Sequence, residues 1–160
     1  MKYRIGFGID FHQLTDGRDL WIGGVKIPFA KGAMGHSDAD VLLHALCDAL
    51  LGALALGDIG IHFPNNDETY HNIDSKILLQ KTYELIKEKK YIVVNVDSTV
   101  CLEQPRIMQY AGAMRAVIAS ILEVSADEIS IKATTTEKMG SIGKGEGLAA
   151  YATVLLEEKG

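Results

Sequence analysis

Asp10, His12 and His44 are the residues whose types and spacing most directly suggest chemistry. Asp10 and His12 lie two apart in residues 3–12, where Tyr3, Ile5, Phe7, Ile9 and Phe11 alternate with small or polar residues. That period of two predicts a half-buried strand on which Asp10 and His12 share a face. His44 falls within residues 38–57, a segment of helical length and composition, and can add a third ligand from a packed layer. Two imidazoles and one carboxylate make an open zinc site, with a coordination position left for substrate or water. Asp40, His44 and Asp48 follow one another at steps of four on that helix, a polar stripe on an otherwise apolar cylinder. The stripe reads as a metal-bound histidine backed by carboxylates.

Two more clusters suit phosphate. Gly35-His36-Ser37-Asp38 places an imidazole and a hydroxyl just before the helix, where free N–H groups and the helix dipole favour an anion. Taken alone, that piece reads more simply as an N-cap beside a bystander histidine. Residues 132–138, Lys-Ala-Thr-Thr-Thr-Glu-Lys, offer three hydroxyls, an acid and flanking lysines at a strand end. Glu137 is suited to hold a hard cation such as Mg²⁺ between phosphates, and Gly140, Gly143, Gly145 and Gly147 permit close backbone approach to a ligand. An exposed polar turn is the plainer alternative, and the Walker spacing is absent.

The elements that must position these groups follow from periodicity. Residues 20–27 read as a second strand or hairpin arm after the Asp16-Gly17 turn signal, and residues 29–36 as a glycine-containing loop. Asp38 is the expected cap of the first helix and Gly57 its stop; residues 59–69 read as a loop. A second helix is capped by Asp74 and runs to about Lys90, and a third opens at Pro105, with Ile107, Tyr110, Ala111, Met114, Val117, Ile118 and Ile121 repeating at three and four. Residues 92–101, 129–135 and 148–156 read as strands. This pattern predicts an α+β fold, a two-layer sandwich with a mostly four-stranded mixed sheet and helices on one face.

The 160 residues fit a single domain, and a net charge of −5 advertises neither a nucleic-acid partner nor a membrane surface. Cys47 and Cys101 lie in apolar surroundings without C-x-x-C spacing, so no disulfide framework is expected. The first residues run almost directly into strand sequence, which predicts no signal peptide and a cytoplasmic protein. The long apolar run of residues 41–56 is broken by His44 and Asp48, marking a core or interface helix rather than a membrane span.

Four motifs occur together and in order: G-x-G-x-D-x-H at 6–12, G-H-S-D-A-D-V-L-L-H at 35–44, D-I-G-x-x-F-P at 58–64 and K-A-T-T-T-E-K-x-G at 132–140. Across essentially the whole chain this set closely resembles the 2-C-methyl-D-erythritol 2,4-cyclodiphosphate synthase family of the non-mevalonate isoprenoid route. The resemblance implies a homotrimer with active sites between subunits. It implies a lyase that cyclises 4-diphosphocytidyl-2-C-methyl-D-erythritol 2-phosphate and releases CMP. It makes Asp10, His12 and His44 the ligands of one Zn²⁺ per site, and brings Glu137 to a second divalent cation, Mg²⁺ or Mn²⁺, on the substrate diphosphate. His36 and Thr135 would help stabilise the transition state, with Ser37 on the substrate phosphates and Asp58 and Gly60 near the methylerythritol hydroxyls. Phe63, Pro64, Asn65, Asn66, Asp67 and Lys144 complete the implied substrate contacts. From the neighbouring subunit, Pro105, Arg106, Ile107, Met108, Ala133, Thr134 and Thr136 would hold the cytidine and its diphosphate.

The chain departs from the family pattern at Phe7, Asn65, Arg106, Ser141, Ile142, Lys144 and Tyr151, none of them in the metal triad or the threonine run. Lys144 and Tyr151 stand where some relatives carry the Arg and Glu that bind isoprenoid diphosphates in the trimer's channel. A lysine point charge in place of a bidentate fork predicts weak binding there. Two other readings stay open: a metal-dependent phosphoesterase, in which water attacks, and a non-catalytic zinc-stabilised oligomer, in which Cys47 or another side chain closes the coordination shell.

Overall fold

A computed structural model describes residues 2–160. Its first strand, β1 (Tyr3–Asp16), runs further than the alternation suggested. The small and polar row of Gly6, Gly8, Asp10 and His12 faces the helical layer, while Ile5 and Phe7 of the apolar row are 72% and 60% exposed. Helix α1 (Val41–Ala53) dictates that choice. A Cβ at Gly6 would lie 1.8 Å from the Ala49 carbonyl oxygen, and one at Gly8 1.9 Å from that of Ala45. Only glycine lets the helix backbone settle so closely on the strand.

A Gly23-Gly24 turn with both φ positive joins the short strands β2 (Leu20–Ile22) and β3 (Val25–Ile27), and β4 (Lys31–Ala33) forms where a loop was expected. After α1 come the single-turn helix α2 (Ile59–His62), helix α3 (Ser75–Glu88) and strand β5 (Tyr91–Cys101). Helix α4 (Ala111–Leu122), strand β6 (Ile129–Thr134), the one-turn α5 (Gly140–Gly143) and strand β7 (Gly147–Glu158) follow. The third predicted helix thus starts at Ala111 rather than Pro105. Residues 105–110 instead make an irregular segment that ends in a 3₁₀ turn and is pinned by the buried Ile107.

The five-stranded sheet has the order β4-β1-β7-β5-β6, four longer strands with a short edge strand added to the four expected. Among the described residues only β5 and β6 run parallel, joined through α4 as a parallel pair requires. The helices lie on one face. Eleven residues of α1 are buried between the sheet and α3, which accounts for its apolar run. Among the described residues, no helix is long and apolar enough to cross a membrane. Both cysteines are free and buried.

Opposite the helices, the sheet is bare. Ile5, Phe7, Ile9 and Phe11 of β1 pair with Leu155, Thr153, Tyr151 and Ala149 of β7, and Phe11 meets the Tyr151 ring edge-on at 6.3 Å between centroids. Ile5, Phe7, Ile9 and Phe11 are all exposed on this one face, a contiguous apolar strip rather than scattered single residues.

Candidate metal centre

Because the glycines admit α1 so closely, its His44 reaches the strand face that carries Asp10 and His12. Asp10 Oδ2 lies 2.8 Å from His12 Nε2 and 3.2 Å from His44 Nδ1, and the two ring nitrogens are 3.2 Å apart. A tetrahedral ion with bonds of about 2.0 Å would set such atoms about 3.3 Å apart, so the triangle fits a small divalent cation with little adjustment.

The outer nitrogens support that fit. His12 Nδ1 lies 2.9 Å from the Met34 carbonyl, which can only accept, so this nitrogen donates and Nε2 is the one left to face the triad. His44 Nε2 lies 2.9 Å from Ser75 Oγ and 3.2 Å from Ser37 Oγ. Burial pushes His44 toward the neutral form, but the hydrogen bond and charge of Asp10 prevail and raise its pKa above the ordinary 6.5. Burial also opposes ionisation of Asp10; its bonds to His12 and His44 outweigh this and hold the carboxyl below 3.8. The cluster attracts positive charge, as a proton or as a metal. Among the described residues it is the one group of His, Cys, Asp or Glu side chains arranged to hold a metal ion.

Cys47 does not close the site. Its thiol is buried beside Thr82, and burial pushes its pKa up to about 12. The triad instead opens onto a cavity of about 200 Å³ lined also by His36, Ser37, Gly60, Phe63 and Asn65. Arg18 stiffens one wall, its guanidinium donating to the carbonyls of Gly35 at 3.0 Å and Ser37 at 2.9 Å. Phe63 of the other wall packs edge-on against Tyr70, and behind that wall Asp58 caps α2 through the Ile61 N–H at 3.1 Å. Asp58, Pro64, Asn66 and Asp67 sit on the same loop outside the lining; Asp67 is occupied by the Thr69 N–H at 2.9 Å.

The helix start departs from the sequence reading. Asp40, not Asp38, caps α1. It accepts from Leu43 N–H at 3.0 Å and also from Gly23 and Gly24 N–H at 2.9 and 2.7 Å, tying the hairpin to the helix. Burial raises the Asp40 pKa despite these three donors. Asp48 accepts from Ile59 N–H at 2.8 Å. The predicted carboxylates behind His44 are therefore committed elsewhere, and hydroxyls stand in their place. Nor does the start of α1 offer an open anion site, because Asp38 and Asp40 fill it. Ser75 carried no sequence signal; its place beside Asp74 reads only as the start of a helix.

Seven of the remaining predicted residues gather in a second hollow of about 280 Å³, with Thr136, Glu137 and Lys144 outside its lining. Pro105, Arg106, Ile107, Met108, Ala133, Thr134 and Thr135 line it together with Leu102 and Glu103. The Leu102 N–H bond to the Thr134 carbonyl, 3.0 Å, sets the two segments side by side. The chain then turns sharply, with positive φ at Glu137 and Lys138. Thr135 Oγ1 accepts from Glu137 N–H at 3.1 Å, and Thr136 donates to the Met139 carbonyl at 2.7 Å. Glu137 and Lys144 are exposed, and the two hollows share no lining residue.

The YgbB family model matches residues 3–157. The chain is 56% identical over 156 residues to the 2-C-methyl-D-erythritol 2,4-cyclodiphosphate synthase of Bacteroides fragilis, covering 98% of each protein. Among solved structures it resembles the bifunctional IspDF of Campylobacter jejuni, at a TM-score of 0.94 and 39% identity; the match covers 98% of this chain and 42% of that longer one. The CDP complex of Plasmodium falciparum IspF superposes with a TM-score of 0.87 at 35% identity, over 99% of this chain and 97% of the other.

Proposed function

Since this chain belongs to the YgbB family, represented among its relatives by 2-C-methyl-D-erythritol 2,4-cyclodiphosphate synthases, we propose that it is an enzyme of that activity, acting as a single domain. The substrate would be 4-diphosphocytidyl-2-C-methyl-D-erythritol 2-phosphate. An oxygen of its 2-phosphate bonds to the β-phosphorus, the bond from that phosphorus to the bridging oxygen breaks, and CMP leaves carrying that oxygen. The observation that carries the reading is the convergence of Asp10, His12 and His44 at the mouth of a polar cleft.

We assign Zn²⁺ to the triad, because two neutral imidazoles and a carboxylate suit it best. When bound, it supplies Lewis-acid stabilisation of charge on phosphate oxygens. The chain supplies positioning. His36 and Ser37, on the loop stiffened by Arg18, hold the substrate phosphates; the loop bearing Asp58, Gly60, Phe63, Pro64, Asn65, Asn66 and Asp67 holds the methylerythritol end. The hollow from Pro105 to Thr135 takes the cytidine. Thr135 donates to the phosphate oxygens on which negative charge develops, and Glu137 would hold Mg²⁺ or Mn²⁺, which would neutralise charge on the diphosphate, with Thr136 and Lys144 alongside. Because the nucleophile belongs to the substrate, orientation and charge neutralisation are the protein's whole task.

We further propose a cytoplasmic homotrimer in which the metal cleft of one chain meets the nucleotide hollow of the next. Two observations support it: the hollows are separate within one chain, and the β1–β7 face is apolar and bare. Incubation with the cytidylyl substrate, followed by ³¹P NMR, tests the activity. Cyclic diphosphate and CMP in equal amounts are expected; linear product from attack by water would favour a phosphoesterase instead.

A further inference from the structure

We propose that Asp38 and Ser75 are positioning residues for the metal centre, holding the proton of His44 on Nε2 so that Nδ1 is bare for the cation. This rests on the reading of Asp10, His12 and His44 as a metal site and goes beyond its ligands. The argument is a count of protons. Asp38 Oδ1 accepts from the Ser75 hydroxyl and, at 3.2 Å, from Asp40 N–H, while Oδ2 accepts from Ser75 N–H at 3.0 Å. A carboxylate has no proton to give. The Ser75 hydroxyl proton is therefore spent on Asp38, and Ser75 Oγ has only lone pairs for the His44 nitrogen 2.9 Å away. His44 must donate from Nε2 to make that bond.

Ser37 does not reverse this order. Its Oγ accepts from Ala39 N–H at 3.0 Å and keeps a free hydroxyl proton, but it lies 3.2 Å from the same nitrogen, farther than Ser75 Oγ at 2.9 Å, which can only accept. With Nε2 protonated, neutral His44 presents a lone pair at Nδ1, toward Asp10 Oδ2 and His12 Nε2. Ser75 is fully buried and Ser37 and His44 nearly so, leaving little water to supply an alternative partner. The same Asp38 carboxylate links the N-terminus of α3 to the segment leading into α1, so the ring's orientation and the packing of the two helices share one anchor. Partners of this kind behind a metal ligand are worth about 10- to 100-fold in metal affinity.

Zinc affinity by competition with a chromophoric chelator, read beside ¹⁵N spectra of histidine-labelled protein, tests this. In zinc-loaded wild type, where the cation takes the place of a proton between Nδ1 and Asp10, His44 should carry its proton on Nε2 with Ser75 accepting it. Ser75→Ala removes the acceptor and should weaken zinc about 10- to 100-fold. Asp38→Asn frees the Ser75 hydroxyl to donate to Nε2; the proton should shift to Nδ1, with a loss of affinity at least as large. A merely structural role would not move the tautomer. Zinc-loaded wild type whose His44 carries its proton on Nδ1, a finding that needs no variant to fold, overturns the proposal. So do variants within twofold of the wild-type zinc affinity. Wild type that binds no zinc removes the metal reading and the relay together, whereas wild type that binds zinc beside unaffected variants removes the relay alone.

Discussion

The metal cleft and the hollow beside Thr135 differ in how far one chain completes them. In the cleft, the outer nitrogens of both histidines have partners, Arg18 holds two loop carbonyls, and the three inner ligand atoms meet within 3.2 Å. In the hollow, the Thr134, Thr135 and Thr136 hydroxyls reach only their own turn, and Glu137 stands exposed on left-handed backbone. Such a conformation costs a non-glycine residue about 1–3 kcal/mol and persists where the surroundings hold it. One region is preorganised from within. The other presents donors and a carboxylate outward, as suits a surface completed by a ligand and a second chain.

Three measurements sharpen that contrast. Removing a ligand from the complete half should have the largest effect. His44→Ala should lose bound metal and lower cyclisation by roughly 10³-fold, since Lewis-acid stabilisation of several kcal/mol converts at about 1.4 kcal/mol per tenfold. Circular dichroism should still report the fold, because α1 is held by apolar packing; a metal-loaded, active variant would refute the assignment. In the open half, Thr135→Ala should leave zinc content unchanged and cost roughly 10²-fold in kcat, as expected for one lost transition-state donor. Equal damage to zinc binding and kcat would mean the halves are not separate.

The third effect is smaller. His44 must shed a proton from Nδ1 to bind metal, and its pKa lies above 6.5. Zinc affinity should therefore fall about tenfold per pH unit once the pH drops below that raised value. The metal-free protein should show the opposite sign. The stability from His44 protonation is fully present below 6.5 and is lost as pH rises through the folded-state value. Asp10, held below 3.8, contributes stability above that pH and loses it only in stronger acid. Melting curves of chelator-treated protein from about pH 5 to 8 should accordingly fall with pH on the His44 account.

The ligand set was legible because a strand places Asp10 and His12 on one face, and the helical segment that bears His44 is plain from its composition. Which face of β1 is buried was not legible. An alternating row of Ile and Phe reads as core when the chain is considered alone, and the real packing signal was the pair Gly6 and Gly8, where absence of a side chain lets α1 approach. Asp38, Asp40 and Asp48 were visible as a cluster, but their partners at Ser75, Gly23, Gly24 and Ile59 are set by tertiary folding. Local spacing says nothing of those contacts. The start of α4 was displaced for a similar reason, since Pro105 favours a helix start while Ile107 is claimed by the core.

The central claim is that a working site takes its metal half from one chain and its nucleotide half from a neighbour. Co-refolding two inactive variants, His12→Ala and Glu137→Ala, and assaying cyclic diphosphate tests it most directly. Each mixed trimer has one interface with two intact halves, one with two damaged halves and one, between like chains, with a single damaged half, so the account predicts substantial but incomplete recovery of activity. Mixed trimers, verified by mass spectrometry, that remain as inactive as either parent would contradict it.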